Sequence, residues 1–363
     1  MKWNTGKSSA QPTDSWKKIS AKLPNIGCGP TGGGSTNAMM SNNPKTILVC
    51  PLDWGLGHAT RCIPLIKKFL NEGNRVILGA DKNPLSLLKQ EFPELETIVV
   101  PGYEVEYSES GSWIQLLIES LRFRNFIKEE KKLIDQIIRE HPIDLIVSDN
   151  RYGFYSNQVQ SILITHQIFV KAPVAEPLIH KQIGKLLDKF NEVWIPDYEG
   201  DNNLSGDLSH LKSIRQKHRF IGPLSRFEKP RELPESIYDL CAVLSGPEPQ
   251  RTILEEKVRE QIRKHGLNAA VVRGLPNAEP TGEAGIFNHL PADKLQDLML
   301  KSKRVLCRSG YSSIMDLVTL GKSAILIPTP GQTEQEYLAE FHKNSDQFDV
   351  QLQDELELDW KLF

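Results

Sequence analysis

The chain has 363 residues, enough for two domains of ordinary size, and its 44 Lys and Arg against 46 Asp and Glu leave a net charge of -2. That balance lacks the basic surface that nucleic-acid binding needs, so no nucleic-acid partner is expected. No apolar run approaches the ~18 residues of a membrane-spanning helix, and the five cysteines (Cys28, Cys50, Cys62, Cys241, Cys307) form no CxxC, which fits a cytoplasmic protein without zinc or disulfides.

Residues 1–43 have little apolar periodicity, a Gly-rich run and no h-region of a signal peptide. They read as a disordered leader or a non-native extension, with Met39 or Met40 near the natural start. The fold then opens with a buried strand over residues 46–50, a loop over 51–61, a helix over 62–71 stopped by Gly73, and a second strand over 75–79. This is a Rossmann-type start, although GxGxxG and GxxxxGK[ST] are both absent. Gly55 and Gly57 keep the loop open over the carboxyl end of the first strand, where α/β proteins bind ligands. His58 stands there. It is a candidate general base, since imidazole titrates near neutrality, or else a histidine that caps the loop.

A helix over 82–92 and a strand over 97–100 follow, then a long helical stretch over 112–140 with a break expected near 122–124. Its 113–126 portion sets Trp113, Leu116, Leu117, Leu121, Phe123 and Phe126 beside Arg122, Arg124 and Lys128. Two readings fit: a core face with solvated neighbours, or a surface for an apolar acceptor or the inner face of a membrane. Strands over 144–149 and 161–167 end in Asp149 and His166, and parallel strands would bring both to the crevice of His58. Strands over 192–197 and 220–224 close a first domain, 44–225.

A Pro- and charge-rich linker, 226–236, precedes a second β–loop–α–β run. A strand over 240–244 leads through Ser245, Gly246 and two prolines to Arg251 and a helix over 252–265. A strand over 269–273, a short strand and loop over 285–290, and a helix over 294–301 come next. The most informative stretch is last: a strand over 305–307, then Arg308-Ser309-Gly310, a helix paced by Ile314, Leu317 and Val318 and ended by Gly321, a strand over 323–328, and a polar loop over 329–335. Ser309 and Gly310 fall at a helix N-terminus, where unpaired N–H groups and the helix dipole suit a phosphate. Asp316 lies one and a half turns on and suits ribose hydroxyls. The plainer alternative is a tight turn with an N-cap serine.

Arg308-Ser309-Gly310 followed by Asp316, Gly321-Lys322, the 325–328 strand, Gln335 and Tyr337 resembles the donor segment of GT-B glycosyltransferases. The likeness extends to the bacterial N-acetylglucosaminyltransferases that complete the lipid-linked peptidoglycan precursor, and the loop from Gly55 to Arg61 resembles a less characterised branch. The resemblance implies an α/β fold of two Rossmann-like domains with parallel sheets facing across a cleft. It implies an acceptor domain over 44–225, a nucleotide-sugar donor domain over 237–345 and a tail over 346–363. By position, Ser245, Gly246, Arg251, Arg308, Ser309 and Gly310 would surround the diphosphate, the backbone at Phe287 and Asn288 would read uracil, Asp316 would hold ribose, and Gln335 with Glu336 would hold the sugar. His58, Asp149 and His166 would serve the acceptor side. The implied reaction is inverting, metal-independent transfer from a UDP-sugar, a substrate rather than a cofactor, to a saccharide or lipid-linked hydroxyl. A nucleotide-sugar hydrolase, a 2-epimerase and a non-catalytic binding subunit share the same pattern.

Overall fold

In a computed structural model, the described residues are 44–53, 56–102, 113–172, 175–276, 278–279 and 281–358, with side chains of 113–121 excepted. They build two parallel sheets. The first lobe contains β1 (Thr46–Pro51), α1 (Gly57–Asn71), β2 (Arg75–Ala80), α2 (Lys82–Glu91), β3 (Glu96–Val99), α3 (Trp113–Glu140), β4 (Leu145–Asp149), β5 (Gln160–Ile164), α4 (Glu176–Leu187), β6 (Glu192–Ile195), α5 (Asp207–His210) and β7 (His218–Phe220). Its sheet runs β3-β2-β1-β4-β5-β6-β7. The second lobe contains β8 (Tyr238–Val243), α6 (Gln250–His265), β9 (Ala269–Val272), β10 (Ile286–Phe287), α7 (Ala292–Leu300), β11 (Ser302–Arg308), α8 (Tyr311–Leu320), β12 (Ala324–Ile327), α9 (Thr333–His342) and β13 (Phe348–Val350). Its sheet runs β10-β9-β8-β11-β12-β13. This is the expected pair of Rossmann-like lobes.

Helices cover the faces of strands that are apolar on both sides, as parallel sheets require. Leu48, Ile77 and Ile146 pack with Ile134 of α3 in the first lobe. Leu240, Leu306 and Ile325 pack with Leu254 of α6 in the second. A buried ion pair ties α3 to the end of β4: Arg151 Nε donates to Glu130 at 2.8 Å, and Glu130 accepts from the Gly153 N–H at 2.9 Å.

Some elements differ from the sequence reading. Helix α3 continues through 122–124 without a break; Leu121, Arg122 and Arg124 are good helix formers and no Gly or Pro intervenes. The polar loop assigned to 329–335 runs straight into α9, whose buried Gln335, Leu338, Ala339 and His342 follow helical spacing. Residues 348–350, placed in a tail, add the edge strand β13, and Leu356 and Leu358 enter the second core. Gly321 closes α8 at φ 65, as a C-terminal glycine should. No helix of the described residues is long and apolar enough to cross a membrane.

Candidate active site

Each sheet reverses its strand order once, between β1 and β4 in the first lobe and between β8 and β11 in the second. Ligands of open α/β sheets bind in the crevice beyond the strand ends at such a reversal. The loop after β1 leads into α1, whose second residue is His58, and Asp149 ends β4, with Pro51 and Asp149 in register. The loop after β8 carries Ser245 and Gly246, and Ser309 and Gly310 follow β11.

The first-lobe groups form a tight cluster. His58 Nδ1 lies 3.0 Å from Asp149 Oδ1 and 2.8 Å from Arg61 Nη2. Arg61 grips the same carboxylate with two nitrogens, Nε to Oδ2 at 2.5 Å and Nη2 to Oδ1. Arg61 Nη1 reaches His166 Nδ1 at 3.4 Å. Helix α1 starts at Gly57, earlier than the sequence suggested, and this puts His58 and Arg61 one turn apart on one face. Burial raises the Asp149 carboxyl, but Arg61 and His58 beside it overcome that and hold it well below the usual carboxylate range. Asp149 is therefore ionised beside the ring. Burial lowers His58, the Arg61 charge lowers it further, and Asp149 opposes both. The net effect keeps the imidazole neutral near pH 7.

His166 faces across to the second lobe. Its Nε2 bonds Glu334 Oε1 at 2.7 Å, and Gln167 Nε2 donates to the other oxygen of Glu334. Its ring stacks on Tyr311 at 3.9 Å between centroids. With both nitrogens engaged and 2% of its surface exposed, His166 is a bridge between lobes rather than a free base. Tyr311 Oη donates to the Pro196 carbonyl at 2.8 Å, and Ser312 Oγ donates to the Gly57 carbonyl at 3.1 Å. A Cβ at Gly57 would stand 3.0 Å from Ser312 Oγ, so glycine permits this approach. The starts of α1 and α8 thus meet across the cleft, and neither has a side-chain cap.

On the donor side the groups sort differently from the sequence reading. Arg251 is engaged at the start of its own helix: its nitrogens donate to Glu248 at 2.5 Å, Glu255 at 2.7 Å and Thr252 at 2.7 Å. Glu248 also accepts from the Thr252 N–H at 3.2 Å, so a carboxylate already occupies the start of α6. Arg251, expected at the diphosphate, is thus engaged with its neighbours along the chain. Ser309 Oγ donates to the Gln335 carbonyl at 2.8 Å and is fully buried. Asp316 accepts from Ser225 Oγ at 2.6 Å and pairs with Arg226 at 3.5 Å, so it clasps the linker where ribose was expected. The carbonyls of Phe287 and Asn288 accept from the N–H groups of Arg273 and Leu275, both at 2.8 Å. Gln335 Oε1 accepts from the Thr329 N–H at 2.9 Å, and Glu336 accepts from the Gly331 N–H at 2.8 Å, so both face their own loop.

What remains open is a small cradle. Arg308 Nε and Thr329 Oγ1 are buried without hydrogen-bond partners. A Cβ at Gly246, whose φ is 108, would lie 3.7 Å from Thr329 Oγ1 and 3.9 Å from Arg308 Nε, and one at Gly310 would lie 3.9 Å from Gln335 Nε2. The rest of the Arg308 guanidinium donates to the Pro328 and Gln250 carbonyls and to Gln353 Oε1. Burial lowers Arg308 to about 10, which still leaves it a cation at neutral pH. Ser245 is exposed at the rim. On the linker side the lobes part around a cavity of about 620 Å³, walled by Leu87, Glu91, Arg226 and His289.

Arg61, Thr329 and Glu334 were missed as site residues. Glu334 is the most instructive: Glu334, Gln335 and Glu336 are adjacent, and only the helical phase of α9 decides which one reaches the cleft. Trp54 and Gly55 lie outside the described residues, as do the side chains of 113–121. Phe123 packs edge-on to Tyr152 at 6.2 Å, and Phe126 lies under Arg151 at 5.9 Å. Among the described residues no group of three or more His, Cys, Asp and Glu side chains converges on a metal site.

Two doubly wound lobes whose strand-order reversals face each other define the GT-B class of glycosyltransferase fold. Residues 247–359 match the glycosyltransferase family 28 C-terminal domain. An uncharacterised glycosyltransferase of Methanosarcina acetivorans is 25% identical over 308 residues, 78% of this chain and 79% of the relative. Arabidopsis thaliana UGT89C1, solved with quercetin, shares the fold with a TM-score of 0.57 at 14% identity, over 88% of each chain. MurG of Acinetobacter baumannii aligns with a TM-score of 0.48 at 9% identity, over 86% of this chain and 87% of its own.

Proposed function

We propose that this chain transfers a sugar from a UDP-sugar to a hydroxyl of a saccharide or lipid-linked acceptor, with inversion and without a metal or other cofactor. The observation that carries the reading is His58 Nδ1 lying 3.0 Å from Asp149 Oδ1, opposite the uncapped start of α8. His58 Nε2 removes the acceptor proton as the acceptor oxygen forms a bond to the anomeric carbon. The bond from that carbon to the diphosphate breaks on the opposite face, and the diphosphate leaves with the electron pair. The first-turn N–H groups of α8, Arg308 Nε and Thr329 Oγ1 receive the charge, a role that needs fixed dipoles and a cation already in place. Gly246 and Gly310 let the diphosphate approach, and the nucleoside end extends toward the cavity walled by Arg226 and His289.

The test is His58→Asn, assayed with UDP-sugars and with saccharide and lipid acceptors. Turnover should fall by about 10²–10⁴, the usual contribution of a positioned base, while UDP affinity by calorimetry stays close to wild type. Near wild-type turnover would refute the base. Free sugar as the sole product would mark a hydrolase, and an altered sugar an epimerase.

A further inference from the structure

Asp149 alone would be a poor partner for a base. A carboxylate beside an imidazole favours the imidazolium, and an imidazolium cannot accept a proton. Here the carboxylate is shared. Arg61 holds both oxygens of Asp149 from a position one turn beyond His58, and both Arg61 and Asp149 are essentially sealed from water, at 2% and 0% side-chain exposure. The Arg61 guanidinium also comes within 2.8 Å of the very ring nitrogen that faces Asp149. We propose that Arg61 is a positioning residue for the base: it takes up the charge of Asp149, so that Asp149 can orient the His58 ring without protonating it. The inference rests on the reading of His58 as base, but it concerns the free protein.

The other charged or titratable groups around His58 do not substitute for Arg61. Glu334, at the start of α9, is committed to His166 and Gln167. His166, at the end of β5, lies between Glu334 and Arg61. Burial raises Cys62, on α1, and Tyr311, at the start of α8, well above their ordinary values, and it raises Tyr152 to about 12, so all three are neutral near pH 7. That leaves Arg61 as the cation in contact with both members of the pair. It is also placed to sense the second lobe, since its remaining nitrogen reaches His166, which holds Glu334.

The test is a histidine titration by NMR on the full chain without sugar donor or acceptor, with the His58 signal identified by its loss in His58→Asn. In wild type, His58 should stay neutral to a pH below the ordinary imidazole midpoint. Arg61→Met should move that midpoint up by about one pH unit or more, the scale of an unshielded neighbouring carboxylate, while Arg61→Lys keeps it near wild type. An unchanged or lower midpoint in folded Arg61→Met would overturn the proposal. Arg61→Met leaves a buried carboxylate unpaired and can fail to fold. The double variant Arg61→Met with Asp149→Asn carries no such charge, and its midpoint should match wild type within about half a unit if the two charges cancel at His58. A displacement of a full unit in either direction would refute that cancellation. Where turnover is measurable, the acid limb of kcat/KM should follow the NMR midpoint across the variants. The two ideas fail separately: an active His58→Asn enzyme removes the base, whereas an unmoved midpoint beside an inactive His58→Asn enzyme removes only Arg61.

Discussion

Removing Glu334 should loosen the lobe contact by a measurable amount. Its carboxylate, 22% exposed, accepts from His166 Nε2 at 2.7 Å and from Gln167 Nε2, both in the opposite lobe. A hydrogen bond to a charged group contributes roughly 1.5–3 kcal/mol, and partial exposure lets water replace part of it, so Glu334→Ala should cost about 2–4 kcal/mol. For a chain of this size each kcal/mol moves the melting temperature by about 2 °C, so calorimetry should show a fall of roughly 4–8 °C. Glu334→Gln keeps an acceptor for His166 without the charge and should fall between. The pH dependence has a fixed sign. Burial raises the Glu334 carboxyl, but His166, with His58 and Arg61, outweighs it and brings the folded value below the ordinary one. Its stabilisation is therefore complete above the ordinary glutamate value and fades as pH drops through the lowered folded value. The gap between wild type and Glu334→Ala should close under acid. A variant melting within about 1 °C of wild type at neutral pH would refute the latch, as would a gap that widens on acidification.

Three further outcomes are expected. Gly246→Val would fill the space before Thr329 Oγ1 and Arg308 Nε and strain a φ of 108; calorimetry should show UDP affinity reduced at least about tenfold, consistent with roughly 1–3 kcal/mol of strain plus lost contact. Gly206→Ala would set a Cβ onto Tyr337 Oη and 2.8 Å from Phe341 Cδ2 at a φ of 52; a melting temperature lowered by roughly 2–6 °C is expected, and an unchanged one would mean the loop yields freely. Turnover should survive a chelator, because Arg308 and the start of α8 supply the positive charge; activity lost in EDTA and restored by magnesium or manganese would contradict this.

The two-lobed architecture was legible because buried parallel strands are unbroken apolar runs and their helices end on glycines such as Gly73 and Gly321. His58 and Asp149 were legible for the same reason, since strand ends converge at a reversal of strand order. The donor side was less so. Whether Arg251 or Asp316 is free for a ligand depends on neighbours from Glu248, Glu255, Ser225 and Arg226, and the pairing of long polar side chains leaves no mark on periodicity. The phase of α9 was hidden because Thr-Glu-Gln-Glu reads equally as a loop or as a first helical turn. Arg61 was within view, but its role appears only when α1 begins early enough to place it one turn beyond His58.

Helix α9 follows β12 in the second lobe's chain order, yet Tyr337 Oη accepts from the Asp207 N–H at 2.7 Å, His342 Nε2 bonds the Leu204 carbonyl at 2.9 Å, and Glu334 holds His166, all in the first lobe. These bonds bear on any chimera that joins the first lobe of one relative to the second lobe of another. In this chain a seam at the linker would separate α9 from the 197–211 loop it fits. A working hybrid should need that loop, or α9 itself, carried over with its original partner. The two lobes are then best exchanged as a unit, and a hybrid that splits α9 from its loop should melt lower than either parent.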